Sequence, residues 1–498
     1  MFATPASAAR LALVRYSGDL TTKARPTRQR FTRRLAHNIK DALRQEGLRS
    51  RVERRHDRLF VRFDAPAAPA SIGRVFGVQS VSFVEERPWS TLDDIVRHGV
   101  ELFAHAVAGR RFAVRARRVG ERDRIATTSA DVQRSLGAAL AGRAAGVDLE
   151  HPDVRVQVEI APGYVHYFRE AIRGPGGLPL GVEGRAVALV SGGFDSAVAA
   201  WQLLKRGVAL DYVFCNLGGR AHQHGTLRVM KRIADAWSYG TSPRFHAVDF
   251  EGVSADLQEK VTTRYWQVVL KRLMLRAAEQ VGVERNARAL VTGEAIGQVS
   301  SQTLGNLAVI SQATTLPILR PLVGYNKDEI LDVARAIGTF EASKVVGEYC
   351  ALVPSKPATN ASLDAILAQE PRLDAALLER AVAQRSIFDL RALDLEALDD
   401  PSLQVGQIDD DVTVIDLRSQ AAYRAWHYPD ALRLDFADAM RAFPSFDRGQ
   451  RYVLYCEFGL KSAHLAERMR ASGLDAASFK GGSTALRRRT EGASQESR

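Results

Sequence analysis

At 498 residues, 46% of them hydrophobic, the chain holds enough apolar material for three or four packed domains of about 150 residues each. No apolar run approaches the roughly 18–20 residues of a membrane-spanning helix, and three cysteines without zinc-ligand spacing exclude a disulfide framework and a structural zinc site. The net charge of +12 lies wholly in residues 1–173, which carry 31 Lys and Arg against 19 Asp and Glu. Such an asymmetry is the electrostatic footprint of a polyanion, most simply nucleic acid. An Arg-rich solvated surface is the competing reading, and the charge balance of the remaining residues weighs against it. Met1–Arg15 lacks the apolar core of a secretory signal. A reducing cytoplasm is therefore expected, where a cysteine pair is more often transient and catalytic than structural.

Residues 1–62, with 16 basic against 5 acidic side chains, read as a small α/β unit. Arg10–Tyr16 is a predicted strand. Thr27–Glu46 is a predicted helix, with Phe31, Leu35, Ile39 and Leu43 at i, i+4 spacing. Residues 51–56 and 58–63 form a predicted hairpin. A second unit follows from about residue 72. Its predicted elements are a helix at Leu92–Ala108, a strand at Arg111–Val119, a helix at Ser129–Leu140 with Ser129 as N-cap, and strands at 154–160 and 165–168. The Gly- and Pro-rich stretch 174–184 reads as a linker or boundary.

Beyond it, strands at 186–190, 210–214, 245–249 and 288–292 alternate with helices at 197–206, 224–237, 256–281 and 326–337, which predicts a parallel, doubly wound sheet. The run Ser191-Gly192-Gly193-Phe194-Asp195-Ser196 sits between the first of these strands and its helix. Glycines let the backbone approach an anion, and the helix N-terminus turns its orphan N–H groups and positive dipole end toward it. Ser191 and Ser196 add hydroxyl donors. Asp195 can hold Mg²⁺ or orient a nucleotide. The run lacks the Gly-Lys-Ser/Thr ending of a kinase-type phosphate loop. The bland alternative is a Ser/Gly-rich turn. Cys215 reads as a packed strand cysteine, and His222-x-His224 as loop residues. Helices are predicted at about 361–387, and the acidic stretch 394–411 marks the last boundary.

The final unit opens with a strand at 412–417. Cys456 ends a second strand, Tyr452–Tyr455, and a loop to Ser462 leads into a helix at 463–471. A thiol cradled by loop amides at a helix N-terminus is stabilised as thiolate. A buried half-hydrophobic cysteine is the alternative.

The 191–196 run resembles the pyrophosphate loop of ATP pyrophosphatases. The last unit resembles a rhodanese domain, on Asp416-Leu-Arg418, the 425–431 segment and the Cys456 loop, although Glu457 and Phe458 stand where such loops often carry cations. The order of parts as a whole resembles the tRNA 4-thiouridine synthetase family, which is also linked to thiamine thiazole synthesis. Specific matches are Gly176-Gly-Leu-Pro179, Asn216-Leu-Gly-Gly219, Thr292-Gly-Glu294 with 297–303, Leu319-Arg-Pro-Leu322, Asn326-Lys327 and Glu348-Tyr-Cys350.

The resemblance implies an α/β multidomain chain: a ferredoxin-like unit at 1–65, a THUMP RNA-binding domain at 66–172, a doubly wound adenylation domain at 173–393 and a rhodanese domain at 394–498. It implies ATP contacts at Leu189, Val190 and Ser191–Ser196 (Gly192 and Gly193 included), completed by Lys271, Gly293 and Gln302. Asp195 and Lys327 would serve adenylation, with Mg²⁺ and no dedicated protein metal site. Cys456 would carry a persulfide, and Cys350 would form a transient disulfide with it, which requires the rhodanese unit to dock over the ATPase cleft. The implied reaction is conversion of uridine 8 of tRNA to 4-thiouridine. The implied partners are tRNA, a cysteine desulfurase and a thiamine sulfur-carrier protein, with no membrane. Direct attack by the persulfide and release of free sulfide both remain open. The alternatives are a persulfide carrier acting mainly in thiazole synthesis, which would need Cys456 but not Asp195, and a noncatalytic RNA-binding protein.

Overall fold

Alternation along Arg10–Tyr16 turns Ala12, Val14 and Tyr16 to one face, where they meet Phe31, Leu35, Ile39 and Leu43 of the helix Arg25–Gln45 in one buried core. These positions come from a computed structural model that describes residues 10–55, 58–65, 69–346, 354, 356–398, 401–409 and 411–496. The chain divides into two compact units.

The first unit is Met1–Glu183 with Leu204–Val208 and Tyr239–Thr241. Its centre is the eleven-residue strand Val78–Pro88, which the sequence reading passed over. One half pairs antiparallel with Arg10–Tyr16 and the other with Tyr164–Phe168. A single nine-stranded sheet therefore runs through both expected N-terminal segments. The helices Leu92–Val107 and Ser129–Ala141 pack over its second half. The cap of the latter is Thr128, not Ser129: Thr128 Oγ1 accepts from the Asp131 N–H at 3.1 Å, and Asp131 reaches back to the Thr128 N–H. Only that register closes a reciprocal capping box.

The 174–184 stretch ends the unit but is no solvated linker. Leu178 and Leu180 are buried. Arg34 Nε and Asn38 Nδ2 donate to the Leu180 carbonyl at 2.8 and 3.1 Å, and Ser17 Oγ donates to that of Gly177 at 2.5 Å.

The second unit carries two sheets. The larger has the order Ile318–Leu319, Leu290–Val291, Arg185–Leu189, Ala209–Asn216, Arg244–Asp249, Ser386–Asp389. All neighbours are parallel except the last strand, which runs antiparallel along the edge and replaces the end of the helix expected to reach residue 387. The helix expected over 256–281 is two, Glu251–Lys260 and Trp266–Glu284. Val261 is extended between them, and its carbonyl accepts from Trp266 Nε1 at 2.8 Å.

The smaller sheet is parallel throughout, in the order Gln404–Val405, Asp475–Phe479, Arg451–Tyr455, Thr413–Asp416, Leu432–Arg433. Its first strand falls inside the acidic stretch expected to be a boundary. Among the described residues no helix is long and apolar enough to cross a membrane.

Candidate active site

Strand Arg185–Leu189 lies inside the larger sheet, paired on both edges, and delivers residues 190–193 at its carboxyl end. The helix Phe194–Lys205 begins there, three residues earlier than expected. The turn is held from within. Ser196 Oγ accepts from the Ser191 N–H at 3.3 Å and donates to the Gly193 carbonyl at 3.1 Å. Gly192 has φ +77°, and a Cβ there would lie 2.7 Å from Thr226 Oγ1. Only glycine fits such a position. A Cβ on Gly293 would lie 2.8 Å from the Asp195 carbonyl carbon and the Ser196 nitrogen.

A cavity of about 240 Å³ opens beside this turn. Leu189, Val190, Ser191, Asp195, Ser196, Lys271, Gly293 and Gln302 all line it, so eight expected nucleotide residues from four chain segments converge. Gly192 and Gly193 form the turn itself. Lys327 reaches Asp195 from the N-terminus of the helix Lys327–Ile337: Nζ lies 3.0 Å from Oδ1 and 3.3 Å from Oδ2.

The sequence reading gave no role to four further residues. Glu294 is buried and paired with Lys271 at 3.1 Å and Arg320 at 2.7 Å, while Thr292 Oγ1 donates to it at 3.1 Å. Burial alone would raise its carboxyl, but the two cations outweigh burial and hold it below the ordinary range. Gln298 Nε2 donates to Asp195 Oδ2 at 2.9 Å. Glu294, Arg320 and Gln298 sit within the quoted motifs, which were the only signal for them.

The fourth is His222. It and His224 lie on the helix Gly219–Trp237, not in a loop. The apolar side of that helix carries His222 inward, edge-on to Phe214. Its Nε2 donates to the Ser191 carbonyl at 3.1 Å. Burial lowers its pKa to about 4, so the ring is neutral near pH 7. Cys215 lines the cavity as a buried strand residue, and burial pushes its thiol well up, away from nucleophilic use.

Cys456 follows the strand Arg451–Tyr455. Its Sγ accepts the Gly459 N–H at 3.2 Å and the Ser462 hydroxyl at 3.5 Å, at the head of the helix Leu460–Ala471. It faces a second cavity, of about 400 Å³. Arg418 lines that cavity but is committed to Asp416 at 2.7 Å, and Asp435 and Glu457 add acidic groups, leaving Lys461 to set against them. Val345 and Val346, from the helix Phe340–Val346, line its other side. Cys350 lies outside the described residues.

Four family models match the chain. They are the ThiI ferredoxin-like domain over residues 11–82, the THUMP domain over 90–165, the thiamine biosynthesis protein (ThiI) over 181–375 and the rhodanese-like domain over 401–488. A tRNA sulfurtransferase of Pyrobaculum aerophilum is 37% identical over 93% of this chain and 95% of its own length. That of Pseudomonas aeruginosa PAO1 is 40% identical over 90% and 95%. Among solved structures, a 4-thiouridine synthetase–RNA complex with bound ATP is similar at TM-score 0.68 and 30% identity, over 76% of this chain and 99% of that one. PH1313 from Pyrococcus horikoshii shares the fold, with TM-score 0.51 and 23% identity over 66% and 99%.

Proposed function

The chain belongs to the tRNA sulfurtransferase family, and on that premise we propose that it converts uridine 8 of tRNA to 4-thiouridine, consuming ATP. The observation that carries the reading is the placement of two chemistries side by side. Val346 lines the Cys456 cavity, and one of its methyl groups lies 3.0 Å from where a Gly192 Cβ would stand in the phosphate loop.

Oxygen at uridine C4 is a poor leaving group. ATP bound with its phosphates on Ser191–Ser196 is attacked at the α-phosphorus by O4, and pyrophosphate leaves. Lys327 neutralises charge on the phosphates, and Asp195 would hold a Mg²⁺ ion together with ATP, which would draw charge off the departing pyrophosphate. Lys271, Gly293 and Gln302 shape the nucleotide cavity. The terminal sulfur of a Cys456 persulfide, loaded by a cysteine desulfurase, then displaces AMP from C4. The Cys350 thiolate attacks Cys456 Sγ, the S–S bond of the persulfide breaks toward the product sulfur, and an external thiol reduces the resulting disulfide. Cys350 is four positions beyond Val346, a reach of at most about 14 Å. A disulfide needs Cα atoms within about 7 Å. Release of Cys456 sulfur as sulfide before attack at C4 is the variant route. The four-part division at residues 65, 172 and 393 and a cytoplasmic site of action belong to the same reading.

The test is Asp195→Ala in the full chain. AMP release and 4-thiouridine, read by nucleoside chromatography, should both vanish, while tRNA binding stays within about twofold. Wild-type-like 4-thiouridine would reject the ATP-dependent mechanism. The match to a thiamine biosynthesis family favours a second role, sulfur supply to a carrier protein for thiazole formation. That role would require Cys456 and tolerate Asp195→Ala.

A further inference from the structure

The helix Gly219–Trp237 starts without a cap of its own. Its N-cap is Gly218, no side chain closes that end in the capping position, and its first turn has no acidic residue. Such an end leaves N–H donors and a partial positive charge to be met. Glu467 meets both. Its Oε2 accepts the Arg220 N–H at 3.0 Å.

Glu467 belongs to the Leu460–Ala471 helix that follows the Cys456 loop. The approach is close enough to require glycine opposite it. Gly219 has φ +68°, and a Cβ there would lie 2.4 Å from His464 Nδ1 and 2.6 Å from Glu467 Oε2. Arg468, next in sequence, pairs with Glu251 at the head of the neighbouring helix Glu251–Lys260.

The same helix end serves the phosphate loop. His222, three residues past Gly219, donates to the Ser191 carbonyl, and the Thr226 hydroxyl, 2.9 Å from the His222 carbonyl and 3.3 Å from that of Ser191, lies beneath Gly192. The first two turns of this helix therefore hold the nucleotide loop on their inner side and, at the tip, the helix that follows the Cys456 loop.

We propose that Glu467 is a positioning residue for sulfur delivery: its carboxylate caps the helix Gly219–Trp237 from another part of the chain and registers the Cys456 loop against the phosphate loop. The consequence for sulfur delivery rests on the function proposed above, whereas the cap itself does not.

The experiment uses the full chain with Glu467→Lys, which sets a cation against the positive helix end, and Glu467→Gln, which keeps an acceptor without charge. Hydrogen exchange of a peptide spanning residues 219–223 reads the cap directly. Glu467→Lys should speed exchange there by about fivefold, the factor that a cap of about 1 kcal/mol represents. Glu467→Gln should fall between it and the wild type. Unchanged exchange in both variants overturns the cap.

The second readout is 4-thiouridine formed per pyrophosphate released in the first turnover, with Cys456 loading followed by mass spectrometry. Glu467→Lys should load Cys456 and release first-turnover pyrophosphate as the wild type does, yet yield roughly tenfold to a hundredfold less 4-thiouridine per pyrophosphate. Loading and yield that fall together would mean a merely structural residue. A wild-type yield would overturn the delivery role. If the unaltered chain makes no 4-thiouridine, the proposed function fails, and the exchange data still decide the cap.

Discussion

Glu294 lines the cavity beside the 190–193 turn and is the carboxylate on which two cations, Lys271 and Arg320, both lean. Removing one member of a buried ion network leaves the others uncompensated, which typically costs about 3–5 kcal/mol. Glu294→Ala should therefore lower the thermal midpoint of this unit and weaken ATP binding together, measured by calorimetry and nucleotide titration, and Glu294→Gln should do less. The acid limb carries the same signature. A carboxyl held below its unfolded value, about 4.3, contributes its stabilisation above that pH and loses it as pH falls through the lower folded value. Glu294→Gln should remove that part of the acid dependence. His222 has the opposite chemistry and the same sense. Its folded pKa of about 4 lies below the unfolded value of about 6.5. Between those values the unfolded chain binds the extra proton, so stability falls as pH falls, by up to about 1.4 kcal/mol per pH unit. His222→Gln should flatten that slope between pH 6.5 and 4 in denaturant titrations. A slope as steep as the wild type's would show that the buried ring is not its source.

At the scale of elements, the 191–196 loop is decided by one position. Gly192→Ala combines a left-handed φ with a Cβ 2.7 Å from Thr226 Oγ1. Strain of this kind is worth about 1–3 kcal/mol. ATP affinity should fall by roughly tenfold or more in isothermal titration, with Cys456 loading unchanged. This loop was legible in the sequence because strand, turn and helix are contiguous, and the Cys456 loop was legible for the same reason. The 25–45 helix was legible from its apolar spacing alone. What escaped depends on partners distant in the chain. The edge strand Ser386–Asp389 is a short apolar run that takes its character from pairing with Arg244–Asp249. Leu178 and Leu180 look like punctuation between glycines until Arg34 and Asn38 reach the Leu180 carbonyl. His222 stood out only in the pair His222-x-His224, read as loop residues, since its meaning is a hydrogen bond to the Ser191 carbonyl of another segment. Glu467 is 247 positions from Arg220, and no local pattern links them.

For the whole molecule, the charge asymmetry needs correction from the ion pairs. Arg15, Arg58 and Arg117 converge on the buried Glu159, and Arg55 and Arg62 on Glu86. Five arginines of the basic third are thus engaged within the fold and offer less to a polyanion than their count suggests. Arg30, Arg33 and Lys40 are different. All three are exposed on the Arg25–Gln45 helix; Arg33 and Lys40 lie away from Phe31, Leu35 and Ile39, and the Arg30 guanidinium stands over the Phe31 ring, 5.1 Å from its centroid. Each phosphate neutralised contributes about 0.7–0.9 to the slope of log affinity against log salt. Arg30→Gln, Arg33→Gln and Lys40→Gln combined in the full chain should reduce the tRNA slope by about 2–3 and weaken binding most at low salt. Deleting residues 1–173 is a poorer test, because Leu204–Val208 and Tyr239–Thr241 belong to the first unit and would lose their packing. Filter binding of the triple variant across a salt series is decisive for this helix. An unchanged slope would move the phosphate contacts off it and onto other exposed arginines of the same unit, of which Arg111 and Arg115 on the strand Arg111–Arg118 are the next to neutralise.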